Sequence, residues 1–488
     1  MATVALPAAT FAQDDASGGT LVAAISAEPD QLDPQVTSAY VSFQVLENVF
    51  DTLVEPDENL EMVPSLAESW EISDDGLTYT FTLRDGVMWH DGTPLTASDV
   101  VYSYGRIRES ANNGWRFGTV TDVTAPDDST VVFTLSAPTP NLLANIGAFK
   151  GMAIVQQANV ESGDITTAPI GTGPFKVASW TSGDSIELVR NDDYWGGAPS
   201  LDGVTYRFIP DTTVALTSLQ SGDVQWTDNL PAQQVNGLKE STDVVVETVP
   251  SNDYYYFATN EARAPFDDAR VRQALAWAID RDAIVQAAVF GNAAVNQTAI
   301  PSTSVWYYDY APYSRDLDKA TALLEEAGVS DLAIDLIVPS TDNQAVTAAQ
   351  VITANLADIG VTVNIRQLDV STWLAEEADG NFDAFLWEWI GNIDPSDFYY
   401  AQHRTDGGFN YQGYSNPEVD QLLDAAATET DTAARKDLYD QAAKLIVDDA
   451  SYVYLYNPEI AQGYSPNVEG YTVRGDAAIR FGDVSLAQ

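Results

Sequence analysis

Cysteine is absent from this 488-residue chain. That removes disulfides, thiolate metal sites and cysteine nucleophiles together. Cations are scarce: 22 Lys and Arg stand against 72 Asp and Glu, for a net charge of −50. Such a surface repels phosphates, which excludes nucleic acid as a partner. There are only 2 His, His90 and His403, too few nitrogen ligands for an ordinary transition-metal site. No apolar run reaches the ~20 residues that cross a bilayer. No Gly-x-Ser-x-Gly elbow, Walker A loop or His-Glu-x-x-His helix occurs. Glu388 and Asp394 could be paired on paper as a glycosidase-like acid and base, but among 72 carboxylates such proximity arises by chance. The expectation is a protein that is not an enzyme and needs no metal or cofactor.

What is present is a large potential core. Hydrophobic residues make up 45% of the chain, with 11 Trp, 23 Tyr and 17 Phe, and the length suits about three domains. The acidic excess reads either as a solvated surface or as adaptation to high salt, where screening removes self-repulsion. Ala2 to Gln13 is small and apolar. It reads as a signal-peptide remnant cleaved after Ala12, followed by a solvated start to the mature chain, or as a plain disordered tail.

The clearest local pattern is a hairpin. Ile72 precedes an Asp74-Asp75-Gly76 turn, after which Leu77, Tyr79, Phe81 and Leu83 alternate with Thr78, Thr80 and Thr82. Further strands are expected at 20–25, 131–135, 186–190 and 204–209, and a helix over 42–52 from the spacing of Phe43, Leu46, Val49 and Phe50. The second half changes character. A strand through Leu332, Ile334, Leu336 and Val338, a helix over 344–359 stopped by Gly360, and a strand through Val361, Val363 and Ile365 form a βαβ unit. An apolar strand over 382–389 follows, then helices opened by Asn416-Pro417 and by Asp431.

The hairpin with its flanks, from Ala67-Glu-Ser-Trp70 through Arg84-Asp85-Gly86 to Trp89-His90-Asp91-Gly92, closely resembles the signature of the family 5 solute-binding proteins of ABC importers. The resemblance continues through Leu32-Asp33-Pro34, Gly171-Thr172-Gly173-Pro174-Phe175, Tyr194-Trp195-Gly196, Arg270 to Leu275, Asp394-Pro395 and Tyr414-Ser415-Asn416-Pro417. It implies an α/β, type II periplasmic-binding-protein-like clamp of two lobes with an extra inserted domain. The expected partition is a tail over 1–18, a first lobe over 19–50, 170–259 and 463–488, an inserted β-rich domain over 51–169, and a second lobe over 260–462. Hinge crossings would fall near 258–260 and 460–464. The implied role is an extracytoplasmic receptor, monomeric, that closes on a ligand and delivers it to permease subunits.

In open α/β sheets ligands sit at the carboxyl ends of strands, which points to the loops 339–343 and 390–397. The second is flanked by Trp387 and Trp389 and followed by Phe398, Tyr399 and Tyr400, which read as aromatic walls of a small-molecule site, the alternative being that Trp387 and Trp389 are core residues on opposite faces of their strand. The family's peptide members hold an extended peptide against segments matching Ser38-Ala39-Tyr40 and Trp389-Ile390-Gly391. They place an Asp for the peptide's ammonium about where Asn392 falls here, with Asp394 as a substitute or as a structural residue before Pro395. Asn343 and Asn410 complete the candidate contacts. Dipeptide-type members carry an Arg for the ligand carboxylate in the first loop, and this loop has none. An oligopeptide is therefore the expected ligand, with an oligosaccharide, an amine or an opine-like compound as the alternative. His403, near Tyr399 and Tyr400, is a candidate to face the cleft.

Overall fold

The computed structural model describes residues 18–110, 113–148 and 150–487; the suggested signal remnant lies outside them. The hairpin forms as its alternation requires. Ala67–Ile72 and Thr78–Leu83 pair antiparallel, with Trp70 opposite Phe81 and Ile72 opposite Tyr79. Gly76 makes the turn at φ 68°, a left-handed angle glycine adopts without strain. Two more strands, Val120–Thr124 and Thr130–Leu135, complete a four-stranded sheet. Its buried face packs on the helix Ala97–Glu109, where Tyr104 meets Phe133 edge-on at 5.0 Å. This unit has a hydrophobic core of its own.

The rest of the chain is organised by a twelve-stranded sheet. At one end, Ala333–Pro339 runs parallel to Thr362–Leu368 and to Ala384–Trp389, the βαβ arrangement read from the sequence. The connecting helix Asn343–Ala357 is capped by Asp342, whose carboxylate accepts from the N–H groups of Gln344 and Ala345. At the other end, Thr20–Ile25 runs parallel to Gly203–Phe208, with Ser185–Arg190 and Phe175–Thr181 beyond. Separate hydrophobic cores lie under the two halves.

One long strand, Tyr452–Tyr464, joins them. Its residues up to Pro458 pair with Tyr254–Thr259 and Ala293–Val295, and from Glu459 onward with Val245–Pro250. The chain thus changes partners at 251–253 and at 458–459, a few residues before each of the crossings expected from sequence.

The helix expected over 42–52 is shorter, Tyr40–Leu46. Distant chain ends it. The carbonyls of Asn48 and Val49 accept from the N–H groups of Phe175 and Gly173, so they are turned away from a helical ladder. A side chain at Gly171 would sit 1.9 Å from the Val49 carbonyl oxygen, and one at Gly173 would sit 2.7 Å from it. Only glycine permits that approach.

Candidate functional site

A cavity of about 400 Å³ opens between the inserted unit and the second lobe. Trp115, Arg116, Asn141 and Asn145 line it from the inserted unit; Trp389, Asn392, Tyr400 and Phe409 line it from the other side. Such a volume, with aromatic walls and a few polar groups, suits a small ligand. Trp389 stands edge-on to Phe409 at 5.1 Å, and its buried indole N–H meets no acceptor among the described residues. Two bonds tie the cavity walls together: Asn141 Nδ2 donates to Ser396 Oγ at 3.0 Å, and Arg116 lies 3.7 Å from Asp397. Burial pushes the Asp397 carboxyl up to about 6, with Arg116 opposing and Asp394 adding to the rise.

Trp387 and Trp389 do not lie on opposite faces. They are two residues apart in a strand and share one face, opposite Tyr256 and Tyr254 respectively. Ile390 follows at 75% exposure, a side chain offered to solvent at the end of the strand. Gly391 is pressed against the 252 backbone, where a Cβ would sit 2.1 Å from the Asn252 carbonyl oxygen, and its N–H donates to Asp253. Asn392 is buried, its Oδ1 accepting from the Ile393 N–H.

Asp394 lines the same cavity, but its carboxylate is committed within the protein. Both oxygens bind the Arg435 guanidinium, at 2.6 and 2.7 Å, and one also accepts from Ser396 N–H and Oγ–H. Arg435 is held in turn against the rings of Trp306 and Tyr439 and donates to the Ala426 carbonyl. Of the two roles open to Asp394 in the sequence, the structural one matches this geometry.

The remaining candidates are dispersed. Ser38 and Ala39 precede the helix that Tyr40 opens, in the first lobe; Ala39 is extended, and Ser38 and Tyr40 are exposed. The Tyr40 hydroxyl donates to the Ala477 carbonyl at 3.3 Å. Asn343 is exposed at the start of its helix. Asn410 is a loop staple: its Nδ2 donates to the carbonyls of Arg404, Thr405 and Tyr414, and its Oδ1 accepts from the Tyr414 N–H.

Neither histidine faces the cavity. His403 is fully buried against Tyr454, Ser451 and Gln412, and burial pushes it down to about 3. That corrects the cleft-facing expectation. His90 joins the inserted unit to the first lobe, Nε2 donating to the Gly173 carbonyl and Nδ1 accepting from the Gly171 N–H. Among the described residues no group of three or more His, Cys, Asp or Glu is placed to hold a metal ion, and no helix is long and apolar enough to cross a membrane. The glycosidase-like pairing also lacks geometry: Asp394 is bound to Arg435, and Glu388 sits beside Tyr255 on the face opposite Trp389.

Sequence reasoning missed Trp115, Arg116, Asn141 and Asn145. The available signal was the Gly114-Trp115-Arg116 turn, an aromatic and a rare cation together in an acidic chain.

Two half-sheets with separate cores, sharing one continuous strand and carrying an inserted unit that helps to wall the cavity, define a type II periplasmic-binding clamp with an extra domain. The sequence profile of the bacterial extracellular solute-binding proteins, family 5 Middle, matches residues 61–411, and the chain belongs to that family. It is 29% identical to the glutathione-binding protein GsiB of Pectobacterium atrosepticum, over 96% of this chain and 94% of that one. HbpA2 from Haemophilus parasuis superposes with a TM-score of 0.89 at 27% identity, covering 96% of this chain and all of that one. The periplasmic binding protein DppA from Helicobacter pylori, in complex with the peptide STSA, gives 0.79 at 29% identity, covering 97% and 99%. Members of this family are transport receptors rather than enzymes.

Proposed function

We propose that this protein is the extracytoplasmic receptor of an ABC importer and captures an oligopeptide between its lobes for delivery to the permease. The observation that carries this reading is the cavity beside the end of the 384–389 strand. There aromatic side chains from two units enclose about 400 Å³ next to the exposed Ile390 at the strand end. The end of a strand can bind an extended chain by main-chain pairing, and aromatic walls accept varied side chains. The peptide-bound relative from Helicobacter pylori supports the same reading. The loop 340–343 offers no cation for a ligand carboxylate, which favours peptides longer than two residues. On this reading, the strand crossovers at 251–253 and 458–459 are the hinge.

The test is a thermal-shift screen of peptides from two to nine residues, with sugars, opines and polyamines as competitors. Peptides should raise the melting temperature with concentration, as any ligand selective for the folded state does. Trp389→Ala should weaken that binding by about tenfold or more through loss of a buried aromatic contact. A shift by sugars or opines alone would replace the peptide by that class, and no shift by any compound would refute the receptor reading.

A further inference from the structure

Behind the cavity wall, the second lobe holds a knot of buried polar side chains. Helix Ser396–His403, whose Tyr400 and Ala401 line the cavity, contributes Gln402 and His403 to it. Gln412 Nε2 donates to the Gln402 carbonyl at 2.8 Å and lies 3.3 Å from Ser451 Oγ and 3.4 Å from His403 Nδ1. The Gln412 carbonyl accepts from the Glu261 N–H at 2.7 Å, and Glu261 Oε2 pairs with Arg272 at 3.1 Å. The end of strand Tyr254–Thr259, the end of helix Ser396–His403, the loop at 412 and the start of strand Tyr452–Tyr464 therefore meet in one network.

What this network lacks is donors. Gln402 Oε1, Gln412 Oε1 and Glu261 Oε1 are all buried, and none has a hydrogen-bond partner among the described residues. The same holds for Thr259 Oγ1, one step beyond the Ala258–Tyr452 pair. Both amide nitrogens are already spent, Gln402 Nε2 on the Asp397 carbonyl at 2.9 Å and Gln412 Nε2 as above. Gln402 and Gln412 are fully buried, so leaving their oxygens unmatched is costly. One such atom is uncommon; three acceptors in one network call for a missing positive group. The local charge points the same way. Glu261 and Asp449 bring two negative charges against the single guanidinium of Arg272. Asp449 is otherwise held by neutral donors, the Tyr414 hydroxyl and the Asn416 amide. Burial keeps His403 neutral, at about 3, so it adds no charge. One negative charge is left over, which a monovalent ion balances and a divalent ion overshoots.

We infer that Gln402, Gln412 and Glu261 form a buried site for a monovalent alkali cation, potassium or sodium, held mainly by neutral oxygens. Amide and carbonyl oxygens replace the hydration shell of such an ion, as the carbonyl rings of potassium channels do. A transition metal would instead need nitrogen or sulfur ligands. The ion clips helix Ser396–His403 and the loop after it to the strand end at Thr259. That loop carries Phe409, whose N–H donates to the Ala401 carbonyl and whose ring meets Trp389. Occupancy of the site therefore steadies one wall of the cavity without touching what the cavity binds.

The test compares melting temperatures of the full chain in potassium, sodium and choline chloride, each at 0.5 M so that ionic strength and screening are equal. It is run at pH 8, above the value of about 7 to which burial raises Glu261, so that this carboxylate is charged. A bound ion stabilises the folded state by mass action, so the melting temperature in potassium or sodium should exceed that in choline by about 2 °C or more. The gain should saturate as choline is replaced, and the larger gain identifies the ion. Gln402→Met and Glu261→Gln should each remove most of the difference, and Gln441→Met, on the exposed surface, should keep it. Both buried changes also lose other contacts, so the readout is the difference between salts within each variant. A second measurement needs no variant: crystals of the unaltered chain grown in thallous acetate, thallium standing in for potassium, should show an anomalous peak bonded to Gln402 Oε1 and Gln412 Oε1. Equal melting temperatures in the three salts, or a difference that survives both buried changes, overturns the site. So does a thallium map with no peak at these oxygens, which would leave them to water. None of these outcomes bears on the receptor reading, which the ligand screen tests separately.

Discussion

The Asp394–Arg435 pair shows how one contact changes the meaning of a residue. Asp394 sits in the loop where a ligand's ammonium was expected to be read, yet its oxygens face a guanidinium that leaves the rest of the loop anchored to the helix Thr432–Asp448. The side chains are 7% and 4% exposed, so neither charge can be satisfied by water if the other is removed. Arg435→Ala should therefore destabilise the protein by about 3–5 kcal/mol, the cost of leaving a buried charge uncompensated. Replacing both together, as Asp394→Leu with Arg435→Met, should cost much less, because no orphan charge remains. Urea denaturation of the three proteins checks this; equal losses for the single and double changes would show that the pair acts through packing alone.

At the scale of elements, local pattern was sufficient wherever an element is decided locally. The Thr-alternating hairpin, the βαβ unit and the Asp-capped helices all stand where period and capping residues place them. The exceptions are decided at a distance. The Tyr40–Leu46 helix stops because Gly173 and Phe175, more than a hundred residues later, take the carbonyls that would continue it. The cavity was half legible. Its second-lobe wall follows from strand-end logic, but Trp115 and Arg116 reach it only through the docking of an inserted unit, which no local period encodes. The loop 390–397 depends on one such long-range approach. Gly391 lies on the backbone of residue 252, with Phe398 also within 2.6 Å of where a Cβ would be. Gly391→Ala should push the loop off that turn, cost about 1–3 kcal/mol as overpacking does, and weaken ligand binding beyond what stability explains. Measuring affinity at a temperature where the variant is still folded separates the two effects; unchanged affinity would place the loop outside the site.

For the whole molecule, charge dominates. Self-repulsion from a net charge of −50 is strongest where screening is weak, and the Debye length falls from about 10 Å at 0.1 M salt to about 3 Å at 1 M. The melting temperature should rise between these concentrations of sodium chloride, and a flat response would remove the high-salt reading of the surface. Buried acids make a separate demand through pH. Burial raises Glu261 and Glu388 to about 7 and Glu377 to about 8, while it lowers His90 to about 4 and His403 to about 3. Each raised carboxyl holds a proton in the folded state that the unfolded chain releases near pH 4. Its contribution is complete below that pH and is lost as pH climbs through 7 and 8. The histidines work the other way: buried neutral, they lose their contribution as pH falls from about 6.5 toward 4. Between pH 8 and pH 6 the gain from three glutamates outweighs the loss from two histidines, which sets in only below about pH 6.5, so stability should increase on acidification across that window. The melting temperature at pH 6 should exceed that at pH 8, measured at constant high salt so that screening is held fixed. Glu377 is 5% exposed and burial alone sets its shift, so Glu377→Gln should flatten the slope. A profile that instead rises steadily to pH 8, or is untouched by that substitution, would mean these acids reach water in the folded state.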